Sequence, residues 1–88
     1  MTANETQVFH DVREILAITL RVAPERVRRE ARLERDLGMD SLRMIETNVA
    51  IEARFGVVAP ELVRPDELGI ETVADLVHHV CRTLGAAA

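Results

Sequence analysis

The chain's 88 residues make room for one domain, and 48% of them are hydrophobic although only Phe9 and Phe55 are aromatic. A formal charge of −4 argues against a nucleic-acid partner, the single Cys81 leaves no disulfide framework, and no apolar run approaches membrane-spanning length. The composition favours a small aliphatic core drawn from 25 Leu, Ile and Val residues, in a chain that buries roughly 60–65% of its unfolded surface. Residues 1–11 show neither the basic nor the apolar segment of a signal peptide, so a soluble, cytoplasmic monomer is expected, with no membrane partner. All eleven basic residues are arginine, which reads as codon bias.

From about Asn4 to Leu20, Val8, Phe9, Val12, Ile15, Leu16 and Leu20 recur at helical spacing. Asp11, Arg13, Glu14 and Ala17 cover the opposite face, and Ile18 falls off the stripe. Residues 21–39 read as a long loop with a short turn near Pro24–Val27, because Leu33 and Leu37 lie off the face that Val27 and Ala31 would share. Val22, Val27, Ala31, Leu33 and Leu37 are its expected buried anchors. Loops of this length inside a small domain are uncommon and usually functional.

Ser41 to about Phe55 is the second helix. Asp40 is its N-cap, a carboxylate able to accept from the orphaned N–H groups of residues 42–43, and Gly56 is its stop. Leu42, Ile45, Val49 and Glu52 lie along one line; Met44, Asn48, Ile51 and Phe55 lie along another. Pro60 and Pro65 bracket short pieces, with one helical turn expected at Pro60–Val63 or Asp66–Leu68. The last helix starts at Thr72-Val73-Ala74-Asp75, a capping-box-like sequence with Asp for the usual Glu. Val73, Leu76, Val77, Val80 and Leu84 follow the 3.6 period, and Gly85 is expected to close it. The fold class is therefore all-α: a small antiparallel four-helix bundle with three main helices, one short third helix and a long first loop, in one domain over 1–88 with an ordered core of about 5–85.

Ser41 is the residue with chemistry to offer. At the first turn of a helix, a phosphodiester on its oxygen would meet N–H groups and the positive end of the macrodipole. No general base accompanies it: His10, His78 and His79 fall in the first and last helices, and G-x-S-x-G is absent. Ser41 therefore reads as an acceptor modified by another enzyme, with no catalytic residue in the chain. The competing structural reading is that Ser41 and Asp40 only cap the helix.

Asp36-Leu37-Gly38-Met39-Asp40-Ser41-Leu42 resembles the attachment signature of the acyl carrier proteins, D-L-G-x-D-S-L. The resemblance runs from about Val8 to Leu84. Val22-Ala23-Pro24-Glu25-Arg26-Val27 is similar to the family's first loop, Leu42, Glu46, Glu52 and Phe55-Gly56 to its second helix, and Thr72-Val73 with Leu76 to the start of its last. It implies that a phosphopantetheinyl transferase moves 4′-phosphopantetheine from coenzyme A onto Ser41, and that the arm's thiol carries an acyl group as a thioester. The chain itself would be non-catalytic. Acyl-loading and acyl-processing enzymes, such as synthases or acyltransferases, would dock mainly on the second helix, at Arg43, Met44, Glu46 and Glu52. Ile45, Asn48, Val49 and Ile51 would line a cargo pocket.

Two residues depart from the family pattern. Arg43 stands where an acidic residue is common, and residues 36–58 hold Asp36, Asp40, Glu46 and Glu52 against Arg43 and Arg54, a net −2. A partner with a strongly basic patch would then be attracted less, which points to a dedicated partner in a polyketide or other specialised bacterial pathway. Asn48 stands where an aliphatic residue is common; it either bonds loop backbone or offers a polar contact to less greasy cargo. The loop from Arg21 to Arg35 holds six Arg and three Glu, read as a solvated segment laced with Glu–Arg pairs. No metal site is expected from His78, His79 and Cys81, and Cys81 reads as a small buried hydrophobe. Other readings are an aminoacyl or peptidyl carrier, an unmodified helical interaction module, or a small serine hydrolase.

Overall fold

The computed structural model describes residues 4–58 and 69–87. Helix α1 spans Glu5–Leu20 and begins where Asn4 accepts from the Thr6 and Gln7 N–H groups at 2.9 and 3.2 Å. An Asn side chain at this position satisfies donors that the first turn would otherwise orphan. The helix ends on Arg21, which takes the left-handed conformation at φ 56° and donates its N–H to the Ala17 carbonyl. Val8, Val12, Ile15 and Leu16 are buried and Ile18 is exposed, as their spacing predicts. Ala17 is also buried, against the expectation that it faces solvent. The reason is that α1 packs against two other helices, so its covered arc is wider than one stripe.

The long loop contains one short 3₁₀ turn, Pro24–Arg26, and buries Val27, Ala31, Leu33 and Leu37, with Val22 half-buried. Its arginines do not mainly pair with its own glutamates; only the exposed Arg28–Glu30 pair, at 3.9 Å, does so. Other arginines, one of them on α1, tie the loop down. Arg13 of α1 donates to the Pro24 carbonyl at 2.7 Å, Arg26 to the Asp36 carbonyl at 2.9 Å, and Arg29 pairs with Glu5 at 3.3 Å while lying 4.5 Å from the Phe9 ring centre. The guanidinium over the aromatic face adds a cation–π attraction to the ion pair.

Helix α2 spans Ser41–Phe55 and closes on Gly56 at φ 68°, whose N–H donates to the Glu52 carbonyl. Two arginines splint it to α1. Near its start Arg43 donates to the Thr19 carbonyl at 3.2 Å; near its end Arg54 reaches Asp11 and Glu14 at 3.2 and 3.3 Å. The late end of α2 thus meets the early part of α1, so the two helices run antiparallel. Met44 and Ile51 are fully buried between the elements, and Thr47, also fully buried, donates its hydroxyl to the Arg43 carbonyl at 2.8 Å. Each large aliphatic side chain buried this way contributes about 1.5–3 kcal/mol.

Helix α3 spans Val73–Ala87. Its start has the expected reciprocal cap: Asp75 N–H donates to Thr72 Oγ1 at 3.2 Å, and the Glu71 and Thr72 N–H groups both donate to Asp75 Oδ2 at 3.0 Å. The loop completes it, since the Ala31 carbonyl accepts from Val73 N–H and the Arg29 carbonyl from Ala74 N–H. Leu33 N–H donates to the Glu71 carbonyl, and Arg32 and Thr72 form an isolated antiparallel bridge. Val73, Leu76, Val77 and Val80 are all buried. Gly85 does not end the helix, contrary to expectation. A glycine stops a helix by turning left-handed, and of the glycines Gly38, Gly56 and Gly69 have positive φ while Gly85 does not. The architecture is all-helical; the short helical turn expected at Pro60–Val63 or Asp66–Leu68 lies outside the described residues.

Candidate attachment site

The approach to α2 is a stem pinned at both faces. Asp36 folds back so that its carboxylate accepts from Arg32 N–H at 2.8 Å, while Asp36 N–H returns a bond to the Arg32 carbonyl at 2.9 Å. Gly38 N–H donates to the Glu34 carbonyl and Met39 N–H to the Leu33 carbonyl, at 3.1 and 2.8 Å. Leu37 and Met39 are both buried, on either side of Gly38. Gly38 itself sits at φ 75°, a conformation that costs other residues roughly 1–2 kcal/mol. A Cβ there would meet nothing within 4 Å, so the glycine is required by its dihedral and not by lack of space.

That stem delivers Asp40 in an extended conformation and Ser41 as the first helical residue. Asp40 Oδ1 accepts from Arg43 N–H at 2.8 Å, and its carbonyl accepts from Met44 N–H. The cap therefore satisfies residue 43 and not 42. Among the described residues, the N–H groups of Ser41 and Leu42 have no hydrogen-bond partner. Ser41 is exposed. An exposed hydroxyl beside two unengaged N–H groups at a helix's positive end fits a phosphodiester, worth about 0.3–1 kcal/mol at an exposed helix start. His10 lies on α1 and His78 and His79 on α3, none of them in α2 or its stem.

The remaining expected site residues separate into an outer and an inner set. Leu42, Ile45 and Val49 form an exposed apolar line on α2. Glu46 is exposed and Glu52 half-buried. Arg43 is half-exposed, but its guanidinium is drawn to Thr19 of α1 and lies only loosely beside Glu46, at 4.0 Å. Met44 is 1% exposed and belongs to the core, so it offers no docking surface. The four residues grouped as a cargo pocket do not share a face: Ile45 and Val49 are outside, Asn48 and Ile51 inside.

Asn48 is 6% exposed, and its Oδ1 has no hydrogen-bond partner, so the expected bond from loop backbone to this oxygen is absent. A buried orphan of this kind costs about 1–3 kcal/mol. Cys81 is half-buried, and its thiol is pushed above its ordinary range by desolvation and by Glu5, with Arg29 opposing. Among the described residues no cluster of three or more His, Cys, Asp or Glu could hold a metal ion. Sequence reasoning missed an open groove between α1 and α2, lined by Ile15, Ile18, Thr19, Ala50, Ala53 and Arg54. The signal for it was the pairing of an off-stripe isoleucine with small residues on the facing helix.

A helical domain that holds an exposed serine at an open helix start, with no histidine in that helix or its stem, offers a hydroxyl that another enzyme could modify. The family model described as "Phosphopantetheine attachment site" matches residues 10–80. The acyl carrier protein of Wolinella succinogenes is 34% identical over 73 residues, covering 83% of this chain and 92% of that protein. The acyl carrier protein of Campylobacter curvus is 36% identical over 73 residues (83% and 91%), and that of Campylobacter hominis 31% over 74 residues (84% and 94%). The chain belongs to the acyl carrier protein family. Its cofactor is covalently attached 4′-phosphopantetheine, and it is a non-catalytic carrier modified by a separate phosphopantetheinyl transferase. Among the described residues, no helix is long and apolar enough to cross a membrane.

Proposed function

We propose that Ser41 is the attachment point, and that the protein holds acyl intermediates as thioesters on the arm and presents them to partner enzymes. The observation that carries this is the open first turn of α2: an exposed Ser41 on a pinned stem, with two N–H groups unengaged. The surrounding motif supplies rigidity through Leu37 and Met39, the left-handed turn through Gly38, and the cap through Asp40. The outer line of Leu42, Ile45 and Val49, flanked by Glu46 and Glu52, is the surface on which loading and processing enzymes dock. This reading has the protein working as a cytoplasmic monomer.

The pathway on this reading is polyketide or other specialised bacterial biosynthesis, with fatty acid biosynthesis as the alternative. Its support is the buried Asn48, a polar residue on the inner line of α2. The charge of α2 supports it less, because Arg43 and Arg54 reach toward α1 and not toward a partner.

Intact mass tests the attachment. Incubation with a phosphopantetheinyl transferase and coenzyme A adds the mass of one arm to the unmodified protein, and Ser41→Ala prevents it. Addition that persists in Ser41→Ala places the arm elsewhere; no addition to the wild type leaves an unmodified interaction module.

A further inference from the structure

The inner line of α2 carries two neighbouring polar side chains, and their situations differ. Thr47 is fully buried but satisfies itself, its hydroxyl donating to the Arg43 carbonyl one turn back. Asn48 is almost as buried, and its carbonyl oxygen has nothing to accept from. An aliphatic residue would fill this position without leaving an orphan. The amide is therefore a poor choice for the fold alone.

Its register relates it to the attachment site. Asn48 is seven residues after Ser41, and at 3.6 residues per turn the two Cα positions lie within about 20° of one another around the axis. The rise between them is roughly 10 Å. Met44, one turn from each, is buried beneath that line, and Ile45 is exposed at its edge. A group tethered to Ser41 and laid back along α2 reaches the level of Asn48 after about two turns.

We propose that the side-chain carbonyl of Asn48 is the acceptor for a hydrogen-bond donor on the group tethered to Ser41. This role rests on Ser41 being the attachment point. An amide oxygen accepts equally from N–H and O–H, so two sources share the chemistry: an amide N–H of the pantetheine arm, or a hydroxyl on the acyl chain. A saturated chain brings no donor. A 3-hydroxyacyl chain brings one, so a cargo role makes this carrier one that retains hydroxylated chains.

The experiment tracks the Asn48 side-chain carbonyl carbon by ¹³C NMR in four states: unmodified protein, arm alone, arm with octanoyl, and arm with 3-hydroxyoctanoyl. Intact mass is recorded first; failure to add any arm overturns the Ser41 reading, independently of the Asn48 resonance. Once the arm is on, a downfield move at arm attachment identifies the arm's N–H as donor. A downfield move only with 3-hydroxyoctanoyl identifies the cargo hydroxyl. In the acyl-loaded state that carries the bond, Asn48→Val speeds hydroxylamine cleavage of the thioester several-fold. A carbonyl resonance unchanged across all four states overturns the proposal. So does one already downfield in the unmodified protein and unmoved thereafter, which marks a buried water as the partner.

Discussion

Helices α2 and α3 have the same length, 15 residues each, and solve the same physical problem in opposite ways. Every helix start leaves backbone donors without partners. In α3 the Val73 and Ala74 N–H groups go to loop carbonyls, the Asp75 N–H goes to the Thr72 hydroxyl, and Asp75 closes the box from the other side. In α2 Asp40 satisfies Arg43 and leaves Ser41 and Leu42 open. The contrast continues along the axes. The fully buried residues of α3, Val73, Leu76, Val77 and Val80, are all aliphatic, whereas α2 buries Thr47 and Asn48 inside and exposes an apolar line outside. One helix is finished as a structural member. The other leaves two backbone donors open at its start, an amide oxygen without a partner inside and an apolar line outside, the features on which the proposed attachment and docking rest.

The largest test of this contrast is in the two apolar lines. Leu76→Ala in α3 removes a fully buried side chain and should lower unfolding stability by about 2–5 kcal/mol. Val49→Ala on the outer line of α2 should change it by no more than about 0.5 kcal/mol, because Val49 is 60% exposed. Urea unfolding of both variants checks this; an equal loss would mean that α2's outer line is structural after all.

A smaller effect is expected at the caps. Thr72→Ala should cost about 0.5–2 kcal/mol by the same measurement. Ser41→Ala, at the proposed attachment point, should cost almost nothing, since Ser41 makes no capping bond. If Ser41→Ala destabilised as much as Thr72→Ala, the serine would be a cap.

The smallest effect is in acid. The Asp75 carboxyl is held below its ordinary range by the backbone N–H of Glu71 and then of Thr72. Its folded pKa is depressed, so its contribution is complete above the unfolded value of about 4 and is lost as pH falls through the lower folded value. Asp75→Asn should therefore flatten the acid limb of stability against pH below about pH 4. An unchanged limb would show that the box holds no charge-dependent stability.

How far the sequence carried depends on how local each cause is. Asp40, Gly56 and the Thr72–Asp75 box were legible because a cap is a contact across a few residues. The loop's anchors were legible because an aliphatic residue in a charged segment has one place to go. The D-L-G-M-D-S-L signature was legible as a resemblance, while the reason for its glycine was only half readable until its dihedral was known. Contacts between distant residues were not legible. Arg43 and Arg54 counted as charges on a docking helix, yet each bonds a partner on α1, 24 to 43 residues earlier in the chain. Ala17 was misplaced for a related reason, since α1 packs against two helices and buries a wider arc; Met44 shares its line with the buried Ile51 and was readable as core.

The stem below Ser41 has a consequence for reach. With Leu37 and Met39 both set in the core, the serine is a fixed pivot and not the tip of a swinging loop. With the arm on Ser41 as proposed, the volume swept by its thiol is then set by the arm's own length and stiffness. The effective concentration of cargo at a docked partner depends on that length and on where the partner's catalytic centre lies relative to the pivot. Loosening the pivot would enlarge the volume and dilute the cargo without touching a single residue that meets it.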